Sequence, residues 1–405
     1  MPRAAIPPLL LNACLLLILY NAVMIPAMYF AHLWLFDSSG HDIATDFVNV
    51  WAAGRLALQG HPAQAWDWDI QKQVQVAMLG QGYFGNFAWH YPPPFLFVAM
   101  VLAHFPYAAG LVGWCLVSFV PYMAMMHAVV GQRFGLVVGA ALPVVLANTV
   151  VGQNGFLTAA LLGGTLVLMP TRPILSGMCL GLLSYKPQYG LLFPLVLIAA
   201  SQWTVFLAAA VTTVVLALIS WIAFGTDSWA AFFHWLPMFS QAFFTEGRAT
   251  WFKLQSVFGL VRTMGGSEHL AWIFQWMVSG IVTIGVVMVW RSRVDYTLKA
   301  AALAVGTLLV TPYLFLYDLM ILAIPIGLLL RIGLADGFQR GELLGLACAM
   351  LLLLAFPFFE APLGLGSTLI VASLIARRIV RPIQIKPDFK WSGFLATRPP
   401  AISGS

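Results

Sequence analysis

Apolar runs of about fifteen to twenty-five residues recur along the whole chain, separated by short polar stretches. That length is what a helix needs to cross a bilayer core about 30 Å thick. With 61% hydrophobic residues and only 8% charged, a soluble domain would lack the polar surface to cover itself. The fold class that follows is all-α, a polytopic membrane protein. The first run, Pro8 to Phe36, is longer than a signal-peptide core and shows no convincing small-residue cleavage site, so it reads as an uncleaved span. Cys14, Cys115, Cys179 and Cys348 all fall inside apolar runs without a CxxC pair, which predicts buried free thiols and neither disulfides nor a cysteine metal site.

Spans are expected at 10–32, 108–131, 134–151, 155–170, 173–185, 187–201, 203–224, 270–290, 295–311, 312–330, 342–358 and 362–380, about twelve in all. The apolar segment 92–105 is too short to cross and is expected to be interfacial or re-entrant. With the N-terminus inside, 14 of the 20 basic residues become cytoplasmic, whereas 10 of the 14 acidic residues fall outside. Counting 92–105 as a crossing would spoil that positive-inside bias. Two substantial outer loops result, about 37–107 and 225–269, on a single integral-membrane domain over 1–380 with a cytoplasmic tail at 381–405. Chemistry is therefore expected on the outer face.

The first outer loop reads as amphipathic helices over Asp46 to Leu58, stopped by Gly60-His61-Pro62, and over Trp66 to Met78 with Trp66, Ile70, Val74 and Ala77 on one side. WHYPPPF (89–95), with Trp89, His90 and Tyr91, leads into the short apolar segment. Asp46 is a candidate base, or else a helix N-cap, a role for which Asp is a preferred residue. Asp42 reads as solvated. Gln153 and Asn154 lie in VGQNGF, Lys186 and Gln188 in SYKPQYG, and Tyr313, Tyr317 and Asp318 in TPYLFLYDL. A lysine and an aspartate at those depths need a partner or a wet cavity, so each is a functional candidate, with a Lys186–Asp318 pair as the structural alternative. The second loop adds Arg248, Lys253 and Arg262; its WFKLQSVFGLVR stretch reads as another interfacial helix. Trp66, Trp68, Trp89 and Tyr91 suit sugar stacking or, equally, an interfacial aromatic belt.

The Asp after the first span, the Gly-x-Pro turn, YPPP, the GQN and KPQ turns and the late Thr-Pro-aromatic motif together resemble glycosyltransferase family 87 over about residues 37–330. That family comprises polyprenyl-phosphate-sugar-dependent transferases of the GT-C class, the mycobacterial mannosyltransferases among them. The resemblance implies a catalytic carboxylate at Asp46, a lipid-phosphate sugar donor entering from the membrane, and a bacterial inner (plasma) membrane location with the site on the periplasmic side. Relatives often carry Ser-Pro-x-x-Trp with a nearby histidine late in the chain. Here the stretch is TPYLFLYD, so no histidine role carries over.

Such chemistry asks for one base to take the acceptor hydroxyl's proton and for cations to receive the departing phosphate. Lys186, Arg248, Lys253 and Arg262 are the outer-face candidates, with Arg262 preferred because guanidinium matches phosphate and the residue lies near a span. Contact with anionic headgroups is the competing role. Attack opposite the phosphate inverts the anomeric centre. The expected partners are a polyprenyl-phosphate sugar (mannose-like hexose or pentose), a lipid-linked or glycan acceptor, and membrane lipids. No metal, cofactor or nucleic acid is expected. A transporter or flippase of lipid-linked saccharides is the rival class, although no internal repeat is evident.

Overall fold

A computed structural model describes residues 6–380 apart from 81, 82, 84 and 86. The expected tail at 381–405 lies outside the described residues. The described residues are helical but for one isolated bridge, Phe36 to Asp42. α1 (Pro8–Phe30) leads to α2 (Phe47–Leu58), α3 (Trp68–Leu79) and α4 (Leu96–Ala103). Then come α5 (Tyr107–Val130), α6 (Phe134–Ala141), α7 (Val144–Val151), α8 (Gly155–Leu168), α9 (Pro173–Leu182) and α10 (Leu192–Ala199). α11 (Trp203–Ser240), α12 (Val257–Thr263), α13 (Glu268–Arg291), α14 (Tyr296–Val310), α15 (Ala323–Asp336), α16 (Glu342–Ala355) and α17 (Leu363–Val380) complete the chain.

Six helices among the described residues are long and apolar enough to cross a membrane: α1, α5, α11, α13, α17, and α15 with its 3-10 lead from Leu316. The remaining expected spans fall on shorter apolar helices or on a bent pair. α6 and α7 meet at 62°. Pro143 explains the break, because the residue before a proline is pushed out of helical geometry and Leu142 is extended (φ −61°, ψ 129°). The bend frees backbone carbonyls in an apolar setting. Asn21 of α1 answers them, donating Nδ2 to Ala140 O at 3.0 Å and to Leu142 O at 3.2 Å. α14 and α15 form the middle of the bundle and are buried almost throughout, whereas α1, α11 and α13 turn leucines, isoleucines and valines outward.

The outer-loop helices differ from the sequence reading. α2 is not a surface helix with one wet face; nine of its twelve residues are buried. Gly54 permits this, because a Cβ there would lie 2.1 Å from the Ala99 carbonyl oxygen of α4. α3 turns Gln71 and Gln75 inward rather than its apolar side. The reason is backbone on either side of the helix, at Ala65 and Phe87, that needs polar partners. Gln75 Nε2 donates to Phe87 O at 2.7 Å, its Oε1 accepts from Phe87 N at 3.3 Å, and Gln71 donates to Ala65 O at 2.9 Å. Asp42 is not freely solvated: its Oδ1 is buried without a hydrogen-bond partner. WFKLQSVFGLVR is a 3-10 turn, Trp251–Lys253, and the short α12, separated by a buried Gln255 that accepts from Gly364 N at 2.8 Å.

The largest departure concerns α11. Its expected end at 224 is only a kink, where Gly225 takes φ 77°, ψ 172°, and helix resumes to Ser240. A π turn, Gln241–Thr245, follows. Much of the expected loop 225–269 is therefore helix.

Gly54→Ala is expected to force α2 off α4 and cost about 1–3 kcal/mol of stability. Thermal unfolding in detergent measures this. An unchanged midpoint would mean that the two helices separate freely.

Candidate active site

Asp46 sits immediately before α2 with helical backbone angles (φ −56°, ψ −24°), and its side chain caps nothing. Thr45 takes the local role: its Oγ1 accepts from Phe47 N at 3.3 Å and lies 2.9 Å from the Tyr107 hydroxyl. The Asp46 carboxylate is thus left for another partner, and the capping alternative does not describe it. Oδ2 accepts from Gln153 Nε2 at 3.1 Å.

Gln153 reaches Asp46 because the GQN turn is tight. Gly152 adopts φ 67°, and a Cβ on it would meet Phe47 Cβ at 2.7 Å. The other end of the Gln153 amide is also fixed, since Oε1 accepts from the Tyr91 hydroxyl at 3.1 Å. That hydroxyl accepts in turn from Asn154 Nδ2 at 2.9 Å. Trp66 holds the same strand of chain, donating Nε1 to Tyr91 O at 3.1 Å. Tyr91 and Asn154 therefore act on Asp46 through Gln153. Neither they nor the fully buried Trp66 and Trp89, which packs on Phe95, line the cavity at Asp46.

That cavity encloses about 460 Å³. Asp46, Asn49 and Gln153 line it with Trp68, His90, Tyr313 and Tyr317, and Arg248 and Lys253 supply its cations. Arg248 pairs with Glu246 at 2.7 Å and lies 4.9 Å from the Trp68 ring centroid, so it approaches the cavity across an aromatic face. Lys253 is exposed and forms no ion pair among the described residues. Two further polar atoms of the lining residues, Asn49 Oδ1 and Trp68 Nε1, are buried without partners. A second cavity of about 380 Å³ shares His90, Phe239, Phe243 and Tyr313 with the first. Its other walls include Lys186, Gln188, Phe232 and Leu236, and most are aromatic or aliphatic.

Lys186 and Asp318 form the pair named as the structural alternative. Lys186 Nζ lies 2.6 Å from Asp318 Oδ1, and both side chains are buried. Lys186 lies between two 3-10 turns, and as the residue before Pro187 it is held out of helical geometry (φ −129°, ψ 71°). Asp318 Oδ2 accepts from Phe315 N at 3.0 Å, so the pair also fixes the start of the 3-10 turn Leu316–Leu322. Asp318 stands behind the cavity walls. Arg262, the preferred phosphate ligand in the sequence reading, lines neither cavity. Its guanidinium lies 3.9 Å from the Trp251 ring centroid and donates to Gly266 O at 3.0 Å.

Electrostatics separate the two acid–base candidates. Burial pushes the Asp46 carboxyl above its ordinary range, while the Gln153 hydrogen bond and the charges of Lys253 and Lys186 pull it back. His90 is pushed down to about 4, first by burial and then by Lys186, so its imidazole is neutral at neutral pH. Sequence reasoning missed Asn49, Phe239 and Phe243. The last two belong to the α11 region assigned to a loop, where helical spacing continuing past Gly225 was the available signal.

The family model of glycosyltransferase family 87 matches residues 89–312, more than half of the chain. No curated protein and no solved structure matches. Asp46 precedes the matched residues.

Lys186→Met should be far more damaging than Lys186→Met combined with Asp318→Leu. Leaving one buried charge unpaired costs about 3–5 kcal/mol, whereas an apolar replacement of both is often tolerated. Melting temperatures of the three proteins check this; equal losses in the single and double variants would give Lys186 a role apart from the pair.

Proposed function

The chain belongs to glycosyltransferase family 87, and on that premise we propose that it moves a sugar from a polyprenyl-phosphate donor to an acceptor hydroxyl, with Asp46 as general base. The observation carrying this reading is one carboxylate and two cations, Arg248 and Lys253, on the walls of a single cavity that shares a wall with an apolar one. The apolar cavity suits the first isoprene units of the donor. The cavity at Asp46 suits its sugar and phosphate.

The acceptor oxygen attacks the anomeric carbon as the bond from that carbon to the phosphate oxygen breaks. Asp46 takes the hydroxyl proton, and the polyprenyl phosphate leaves with the bonding pair. Arg248 and Lys253 receive its charge. Phosphate is a good leaving group, so a general acid is unnecessary, which accords with a neutral His90. Attack opposite the phosphate inverts the anomeric centre. Lys186, held beside Asp318, lines the adjoining cavity and adds its positive field at Asp46. Family membership favours transfer over the transporter alternative.

Asp46→Asn should fold normally yet lose about 10²–10⁴-fold in turnover of a polyprenyl-phosphate sugar. Turnover near wild type would reject the base. In the wild type, activity should fall with acidification while the pH is still above the ordinary carboxylate range, because the folded carboxyl titrates high. Lys253→Ala should move that acid limb to still higher pH.

In the same reading the shorter apolar helices also cross or enter the bilayer, giving twelve passes with Asp46 on the outer side. α8, α10 and α14 support this, since each runs from the region of the two cavities to the opposite end of the bundle. Cysteine introduced at Ser267, in a background without the native thiols, should label from outside the cell, and at Ser292 only from inside. The reverse pattern would turn the protein over.

A further inference from the structure

At the end of the bundle away from Asp46, the last turns of α10 and α13 meet the starts of α11 and α14. They enclose a cavity of about 480 Å³. Arg291, Lys299, Ser201, Ser292 and Gln202 line it, with Trp290 at its wall. No carboxylate lines it. The nearby Asp295 is engaged elsewhere, its Oδ1 accepting from Thr297 N at 2.7 Å as the cap of α14. Neither Arg291 nor Lys299 forms an ion pair among the described residues, and Lys299 is half-buried. The start of α11 adds to the positive field, because Gln202 gives it no side-chain cap and its first N–H groups have no partner within the helix. The Trp290 indole donates to Lys299 O at 2.9 Å and ties the end of α13 to α14.

The surface beside this cavity is apolar. Leu195 and Ile198 of α10 are 49% and 47% exposed, Leu207 of α11 is 58%, and Ile284 and Met288 of α13 are 63% and 66%. α10 packs against both α11 and α13, so these side chains form one strip leading away from the cations. We propose that the cavity binds the phosphate of an anionic glycerophospholipid, whose acyl chains lie along the strip. A soluble phosphate would use the cations and the α11 start but not the strip. A zwitterionic lipid would use the strip while bringing a cation of its own toward Arg291 and Lys299. The site is independent of the Asp46 cavity.

Full-length protein in detergent, titrated with phosphatidylglycerol or phosphatidylcholine and read by native mass spectrometry, tests the site. Phosphatidylglycerol should be retained at markedly lower concentration, and Arg291→Gln with Lys299→Gln should weaken its retention about thirtyfold, the sum of two interfacial cations. Arg291→Lys with Lys299→Arg should restore it, and Asp46→Asn should leave it unchanged. Should the double glutamine variant not fold, Lys299→Gln alone decides, with a weaker but measurable loss expected. Equal retention of the two lipids, undiminished retention in the glutamine variants, or displacement by glycerol 3-phosphate as effective as by phosphatidylglycerol would each overturn the assignment. The last would point to a soluble phosphate.

Discussion

Both ends of the Gln153 amide are committed, and the site depends on that. Its oxygen accepts from the Tyr91 hydroxyl and its nitrogen donates to Asp46. Tyr91 precedes α4, Asp46 precedes α2, and Gln153 lies between α7 and α8, so one side chain fixes the relation of three separate regions. Turning the amide over would set its oxygen against a carboxylate and its N–H groups against the Tyr91 oxygen already approached by Asn154. A single orientation satisfies the network, and it presents a donor to Asp46. The glycines on either side of this turn serve the same end. A Cβ on Gly155 would lie 2.4 Å from Tyr317 O, as one on Gly152 would strike Phe47, so the turn reaches the cavity only without side chains.

Lys186 and Asp318 supply a second junction, more than a hundred residues apart in sequence and 2.6 Å apart in space. A buried pair is weak evidence for net stability, because desolvation offsets most of the attraction. Its structural consequence is positional. Asp318 also accepts from Phe315 N, which sets the stretch holding Tyr313, Phe315 and Tyr317 against the cavity. For Asp46, the pair's two charges act in opposite directions, leaving burial and the Gln153 hydrogen bond as the larger influences.

The class of fold and most polar residues of the cavity region were legible in the sequence, since in an apolar chain every polar group at depth needs a reason. What was not legible follows from the same composition. α14 is buried on nearly all sides and α13 faces mostly outward, yet both are predominantly apolar, so periodicity does not distinguish core from lipid-facing surface. The inward glutamines of α3 were unreadable because they bond mainly to backbone groups, of Ala65 and Phe87, that leave no side-chain pattern. Arg262 looked like a phosphate ligand from its position near a span. What decides its location is Trp251, eleven residues earlier, under its guanidinium. Spacing along the chain does not encode that stacking.

The remaining cations then acquire different standing. Lys186 is neutralised by a buried carboxylate, Arg248 shares its charge with an exposed one, and Lys253 forms no ion pair among the described residues. Charge close to Asp46 is therefore graded by partner rather than by distance alone. A cation left unpaired at an open cavity is held in readiness only while solvent screens it. An anionic group that excludes water there would strengthen its attraction to Lys253 and at the same time deepen the desolvation that raises Asp46. In the proposed reaction, a phosphate beside Lys253 would cancel the charge that pulls Asp46 down, and so would couple occupancy of the cavity to the basicity of its carboxylate. On that reading the carboxylate would be a stronger proton acceptor in the filled cavity than in the empty one.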